Sequence, residues 1–174
     1  MSVAGQAVWR IAKHAADYAA TDLSGSGAEH SGGRWNSVGM PALYAATSIA
    51  LATLETLVHL GGNISVRNLF LVQIVIPASL WRRREVIQAL QLPATWVAEP
   101  PASTTIEIGD DWLARLTAAV LLVPSVIVPE EYNVLLNPNH PDAGLLTSSV
   151  VRQFVYDPRL QSRAGSIDSP LIAC

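Results

Sequence analysis

One carboxylate stands out for the company it keeps. In the segment from Ile49 to Leu60, positions 51, 54, 55 and 58 follow the i, i+3, i+4, i+7 spacing that places side chains on one face of a helix. They read Leu51, Leu54, Glu55 and Val58. A charged carboxylate on an apolar stripe costs several kcal/mol unless it is paired or reaches a wet cleft. Glu55 is therefore either half of a structural ion pair or a group with a catalytic or ligand-binding task, and periodicity does not choose between the two. A partner is available at Arg34, which follows Gly32-Gly33 and precedes Trp35-Asn36. Its guanidinium suits the bidentate geometry of phosphate and carboxylate, and the two glycines leave room for a pyrophosphate to approach the backbone. The same arginine could equally be the counter-ion of Glu55, or a loop arginine in water.

Other motifs carry less. Gly25-Ser26-Gly27 lacks the third glycine of a dinucleotide loop and does not sit directly between a strand and a helix, and there is no P-loop. Glu55 and His59 have i, i+4 spacing, but His14, His30 and His140 are scattered, so His59 reads as a helix-surface histidine and no metal site is expected. Ser125 is not in a G-x-S-x-G elbow. Arg82-Arg83-Arg84 reads as a solvated face. Trp9, Trp81, Trp96 and Trp112 read as packing residues.

These side chains must be positioned by a chain of 174 residues with only 11 basic and 14 acidic side chains, 14% of the total, against roughly 25% in an average soluble domain. Half of the residues are hydrophobic, enough for a sizeable core and against global disorder. A net charge of −3 offers no basic surplus for a run of phosphates, so direct nucleic-acid binding is not expected. The longest strongly apolar run, Asn68 to Leu80, falls well short of the roughly 20 residues that span a bilayer, so no membrane association is expected. Met1 to Arg10 has no secretory pattern, which makes the cytoplasm the expected compartment. The one cysteine, Cys174, allows no internal disulfide and no thiolate metal cluster.

Along the chain, Ala7 to Ile11 reads as a first strand, Thr21 to Gly39 as a glycine-rich loop suited to wrapping a ligand, and Pro41 to Ala46 as a short strand. Ser48 caps a helix over Ile49 to Leu60 that ends at Gly61-Gly62. Leu69 to Ile76 is a central strand, Leu92 to Pro101 a loop, and Gly109-Asp110-Asp111 opens a helix to about Ala119. Strands are expected at Val120 to Val123, Val126 to Val128 and Ser149 to Tyr156. Strands outnumber helices without regular βαβ alternation, which predicts an α+β fold with a mixed or antiparallel sheet.

Taken in order, Trp9-Arg10, Ser24-Gly-Ser-Gly-Ala, Gly33-Arg34-Trp35-Asn36, Gly39-Met-Pro-Ala-Leu-Tyr44-Ala-Ala, Leu51-Ala-Thr-Leu-Glu55, Val123-Pro-Ser125 and Asn133-Val-Leu-Leu-Asn137-Pro resemble the RES-domain family. The resemblance spans roughly residues 7 to 156. It implies one domain across residues 1–174, with 157–174 as a flexible tail, and an ADP-ribosyltransferase-like mixed or antiparallel sheet core with flanking helices. The arginine, glutamate and serine that give the family its name fall on Arg34, Glu55 and Ser125, and Tyr44 also matches its pattern.

The resemblance further implies the toxin of a bacterial toxin–antitoxin pair, with NAD as substrate and no prosthetic group. On that footing Glu55 faces the positive charge that develops on the ribose as the bond to nicotinamide breaks. Arg34 holds the pyrophosphate, Tyr44 stacks on or orients the nicotinamide-ribose end, and Ser125 binds substrate or positions Glu55. Arg10 and Asn133 are further binding candidates. The implied partner is an Xre-like helix-turn-helix antitoxin, and the shortage of surface charge adds a homo-oligomer as a second candidate. Hydrolysis or phosphorolysis of NAD, mono-ADP-ribosylation of a protein, and a non-catalytic binding module built on an Arg34–Glu55 pair all remain open at this stage.

Overall fold

Period-two alternation sorts the strand residues onto the two faces of one seven-stranded sheet. The structure is a computed structural model that describes residues 5–16, 18–61 and 64–160. Its strands are β1 (Gln6–Lys13), β2 (Leu43–Ala46), β3 (Leu69–Ile76), β4 (Glu85–Val86), β5 (Val120–Pro124), β6 (Tyr132–Leu136) and β7 (Thr147–Phe154), in the spatial order β4-β5-β6-β2-β1-β3-β7. Every neighbouring pair is antiparallel except β4 with β5. The helices are α1 (Ser26–Ser31), α2 (Ile49–His59), α3 (Ala78–Arg82) and α4 (Ser103–Arg115). This is the α+β, mixed-sheet architecture that the strand-rich pattern predicts.

On one face, Val8, Leu43, Ile74, Val120 and Val134 join a cluster closed by Leu80 of α3 and by Ala20 and Leu146 from connecting segments. The other face carries two helices. Trp112 and Leu113 of α4 pack on Leu121, Val123 and Leu135 together with Trp35 and Ala42. Leu51 and Ala52 of α2 pack on Ala46, with Trp9 and Val128 alongside. Pairing puts Trp9, Ala46, Asn133 and Val123 in one row across β1, β2, β6 and β5, so these four side chains share that second face.

Helix α2 starts where expected. The Ser48 hydroxyl accepts the Leu51 N–H at 3.1 Å, which satisfies one of the donors that a helix start leaves open. Gly61 follows in the left-handed region at φ 60°, while Gly62 lies outside the described residues. The stripe Leu51, Leu54, Glu55, Val58 is not, however, a core stripe. Leu51 is buried, but Leu54 is 37% and Val58 60% exposed. The small residues Ala46 and Ala52 let the helix settle on its 51–52 edge, which leaves Glu55 half-buried at the margin.

Other boundaries differ for local reasons. The stretch from Thr21 to Gly39 contains the short helix α1. Helix α4 begins at Ser103 rather than Gly109 and stops at Arg115, because Leu116 takes a left-handed conformation at φ 53°. No strand forms at Val126 to Val128, since the Ile127 and Val128 N–H groups are both taken by the Ser125 hydroxyl at 3.0 Å. The strand lies instead at Tyr132–Leu136. The segment Leu92 to Pro101 contains a 3₁₀ turn, Ala94–Val97, that buries Trp96. Of the expected tail, Pro158–Leu160 forms a 3₁₀ turn and residues 161–174, with Cys174, lie outside the described residues.

Gly109 lets α4 pack against the backbone of the loop that carries Arg34. A Cβ placed there would lie 1.8 Å from the Trp35 carbonyl oxygen and 2.6 Å from its carbon. The neighbour is backbone, so nothing flexible can yield. Gly109→Ala is expected to cost about 3 kcal/mol or more, a fall in melting temperature of about 6–12 °C, measured by thermal unfolding of the purified chain. An unchanged melting temperature would show that α4 can be displaced at no cost.

Candidate active site

The centre of the site is one oxygen of one carboxylate. Glu55 Oε1 accepts a hydrogen bond from Ser125 Oγ at 2.7 Å and another from Asn133 Nδ2 at 2.5 Å. The first donor ends β5 and the second sits on β6, so a side chain on α2 is fixed from the sheet on two sides. Among the described residues Oε2 accepts no hydrogen bond, and no ion pair involves Glu55. The group is thus held at one oxygen and left with the other to use.

The holder is itself held. Ser125 is fully buried, and its hydroxyl accepts two backbone N–H groups while donating to Glu55. Its own N–H donates to the Glu131 carbonyl at 3.0 Å, closing the turn between β5 and β6. The Glu131 carboxylate then accepts a 3.0 Å hydrogen bond from Ser48 Oγ, the cap of α2. Thr47 adds a side-chain and a backbone donor to the Tyr132 carbonyl. The turn that supplies Ser125 is therefore tied to the start of the helix that supplies Glu55. A negative group at a helix N-terminus is also favoured by the helix dipole.

Tyr44 lies one diagonal step from Asn133 across the β2–β6 ladder and on the same face of the sheet. Its hydroxyl accepts the Trp35 N–H at 3.0 Å and donates to Asn36 Oδ1 at 2.7 Å. Burial raises this phenol well above its ordinary value; the Trp35 N–H and the Arg34 charge act in the opposite sense, and Asp110 adds to the rise. The phenol is a pillar for the Arg34 loop. A Cβ at Gly33 would stand 2.6 Å from its oxygen, which explains a glycine immediately before Arg34. Asn36 Nδ2 is shared among the carbonyls of Ala28, Ser37 and Met40, and the Asp110 carboxylate accepts both the N–H and the hydroxyl of Ser37.

Arg34 does not pair with Glu55. Its Nη1 donates to the carbonyls of Trp96 at 2.9 Å and Ala98 at 2.8 Å, and Nη2 to Glu99 Oε2 at 3.0 Å. The pair on which a purely structural reading of Glu55 would rest is therefore not formed. Arg10 is not brought to the site. Strand alternation turns it to the opposite face of the sheet with Val8 and Ala12, where it donates to the Tyr18 hydroxyl and the Asp22 carbonyl and holds the segment after β1. A hollow lined by Leu23, Ser24, Leu136 and Leu146 lies on that face too, away from Glu55.

The structure thus gathers Glu55, Ser125 and Asn133 by direct contact, with Tyr44 and Arg34 in an adjoining loop-and-strand unit. Sequence reasoning missed Asn36, Asp110, Glu99 and Glu131. Of these, Asn36 and Asp110 lay inside motifs already noted, whereas Glu99 and Glu131 had no local signal, since each acts on a distant residue.

Residues 7–157 match the family described as RES domain, and the chain belongs to that family. It is 49% identical over 156 residues to a protein of Sphingobium sp. (strain YBL2) named Prs ADP-ribosylating toxin, covering 90% of this chain and 97% of that one. It is 42% identical over 145 residues to Toxin Res of Yersinia enterocolitica, covering 83% of this chain and 93% of that one. A crystal structure of the M. tuberculosis MbcT-MbcA toxin-antitoxin complex contains a chain of similar fold, with a TM-score of 0.65, 18% identity and 85% of each chain covered. The resemblance drawn from the ordered motifs is thereby borne out for family and fold.

The Tyr44 hydroxyl gives a test of the pillar. Tyr44→Phe leaves the Trp35 N–H and one Asn36 acceptor without a buried partner, a loss of about 2–3 kcal/mol. Above pH 10, the ordinary phenol value, the unfolded chain releases a proton that the folded chain keeps, so this group's contribution to folding stability falls as pH rises. Chemical denaturation from pH 7 to 11 should show Tyr44→Phe less stable than wild type at neutral pH and losing stability less steeply above pH 10, the ordinary phenol value. Parallel slopes would mean that the phenol titrates freely.

Proposed function

We propose that this chain is the toxin of a toxin–antitoxin pair and consumes NAD by breaking the bond between nicotinamide and ribose, with Glu55 as the catalytic carboxylate. The observation that carries the reading is Glu55 itself: two donors fix Oε1, no cation neutralises the group among the described residues, and Oε2 is left for a ligand. A structural carboxylate would be expected to spend both oxygens or to meet a cation. The name of the Sphingobium relative, an ADP-ribosylating toxin at 49% identity, supports the same chemistry.

In this mechanism the bond from the ribose anomeric carbon to the nicotinamide nitrogen breaks, and its electron pair goes to the ring nitrogen. That nitrogen is cationic in NAD, so nicotinamide leaves neutral and no strong general acid is needed. Positive charge develops on the ribose. Glu55 Oε2 accepts a ribose hydroxyl and faces that charge, where a preoriented carboxylate is worth most. Ser125 and Asn133 act on Glu55 rather than on substrate. Arg34 holds the pyrophosphate, and the Tyr44 ring, its hydroxyl already committed to the loop, lines the nicotinamide-ribose end. Water or phosphate then bonds to the anomeric carbon through an oxygen lone pair, and the proton that the nucleophile loses passes to solvent. The name of that same relative favours a second reading, in which a protein side chain is the acceptor. The toxin acts in the cytoplasm, and an Xre-like helix-turn-helix antitoxin restrains it. The MbcT-MbcA complex, in which a chain of similar fold meets its antitoxin, supports a partner of that kind.

Purified chain mixed with NAD, with and without phosphate, should yield nicotinamide and an ADP-ribose product, or its phosphorylated form, identified by mass. Glu55→Gln keeps a carbonyl oxygen that accepts from Ser125 and Asn133. It should therefore melt near the wild-type temperature while losing about 10²–10³-fold in turnover and all growth inhibition. Asn133→Ala, which frees Glu55 on one side, should lower kcat by about 10–100-fold, the range expected when a reacting group drifts by an ångström or less. Intact NAD with folded, antitoxin-free protein would sink the enzyme reading, and a collapse of folding in Glu55→Gln would make the residue structural.

A further inference from the structure

Arg34 is anchored on one side and engaged only lightly on the other. Both Nη1 protons are spent on the carbonyls of Trp96 and Ala98, groups fixed by consecutive turns in which the Trp96 N–H bonds Pro93 and the Ala98 N–H bonds Thr95. The Trp96 side chain is buried, so this anchor cannot slide. The other nitrogen, Nη2, meets Glu99 Oε2 at 3.0 Å. Here the partners are unequal: the Arg34 side chain is 17% exposed and that of Glu99 79%. The arginine is a fixture, and the glutamate is a surface side chain resting against it.

We propose that Glu99 is an internal competitor for the anion subsite of Arg34, and that it sets the affinity for a diphosphate ligand by having to be displaced. This rests on the reading of Arg34 as the pyrophosphate-binding residue. A carboxylate is the one protein group that imitates a phosphate oxygen pair in front of a guanidinium, and an exposed ion pair of this kind is weak and easily exchanged. A pyrophosphate brings more charge and more acceptor oxygens to the same N–H groups. Displacement leaves the guanidinium where it is, because the carbonyl anchor on Nη1 is untouched. The subsite is thus filled when empty of ligand, by a group that a diphosphate outcompetes and a singly charged anion does not.

The test uses the full chain, wild type and with Glu99→Gln or Glu99→Ala, titrated with inorganic pyrophosphate by calorimetry, with melting temperatures to confirm folding. Both variants should bind pyrophosphate about fivefold more tightly than wild type, and KM for NAD should fall by a similar factor. Equal or weaker pyrophosphate binding in both variants, or no binding by any of the three proteins, overturns the proposal and makes Glu99 a strut for the 94–99 segment. The two readings fail separately. Tighter pyrophosphate binding without NAD turnover in any protein removes the NAD reading and keeps the competitor. NAD cleavage with no gain in pyrophosphate affinity removes the competitor and keeps the NAD reading.

Discussion

The hydroxyl of Ser125 accepts the N–H groups of Ile127 and Val128 and donates its own proton to Glu55, so a single buried oxygen both folds the β5–β6 turn and aims the carboxylate. A threonine or cysteine would change the volume or the donor at a fully buried position, and alanine would orphan two backbone donors and release Glu55 together. Asn133 completes the arrangement from the next strand. Because both donors meet the same oxygen, the carboxylate is oriented without being neutralised. The Ser48–Glu131 contact and the Thr47 contacts to Tyr132 extend the constraint backward and tie the start of helix α2 to the turn.

A second rigid unit adjoins the first, through Tyr44 diagonal to Asn133 on the β2–β6 ladder. Residues 33–37 look like a flexible glycine loop, yet Tyr44, Asn36 and Asp110 give its polar groups fixed partners, and Gly33 and Gly109 admit the close approaches that this requires. Glycine here gives proximity rather than motion. The loop is clamped between β2 and α4, and Arg34 leaves it toward the 94–99 segment with little freedom of its own. Preorganisation of both units before any ligand arrives is the condition under which a carboxylate and a guanidinium act at their full electrostatic worth.

How much of this was legible in the chain depends on the range of each interaction. The cap of α2, the strand β3 and the peculiarity of Glu55 are local signals, set by spacing and residue type, although β3 lies sixth of seven in the sheet rather than at its centre. Ordered motifs carried the family. What stayed hidden was set by partners far along the chain. The run Val126-Ile127-Val128 has every attribute of a strand, and loses it because a serine side chain takes its donors. The apolar neighbours Leu54 and Val58 mimic a buried stripe, and only the seating of Ala52 on Ala46 shows that they face outward. Arg10 looked like a binding residue because of its motif, but strand parity sends it to the other face.

The scarcity of charge ties these points together. Charges that engage a partner do so at the surface, locally in Arg115–Asp111 and Arg159–Asp157 and between distant segments in Arg83–Asp142. None of these is buried enough to contribute much to stability. Glu55 is different in kind: it is half-buried, hydrogen-bonded by neutral donors, and has no cation in contact among the described residues. Its neighbours on the outer edge of α2, Leu54 and Val58, are apolar and exposed, so they add no charge beside it on the helix. A carboxylate kept in such surroundings interacts with a positive charge more strongly than one in bulk water, and a charge that appears only as a bond breaks is the one it stabilises selectively.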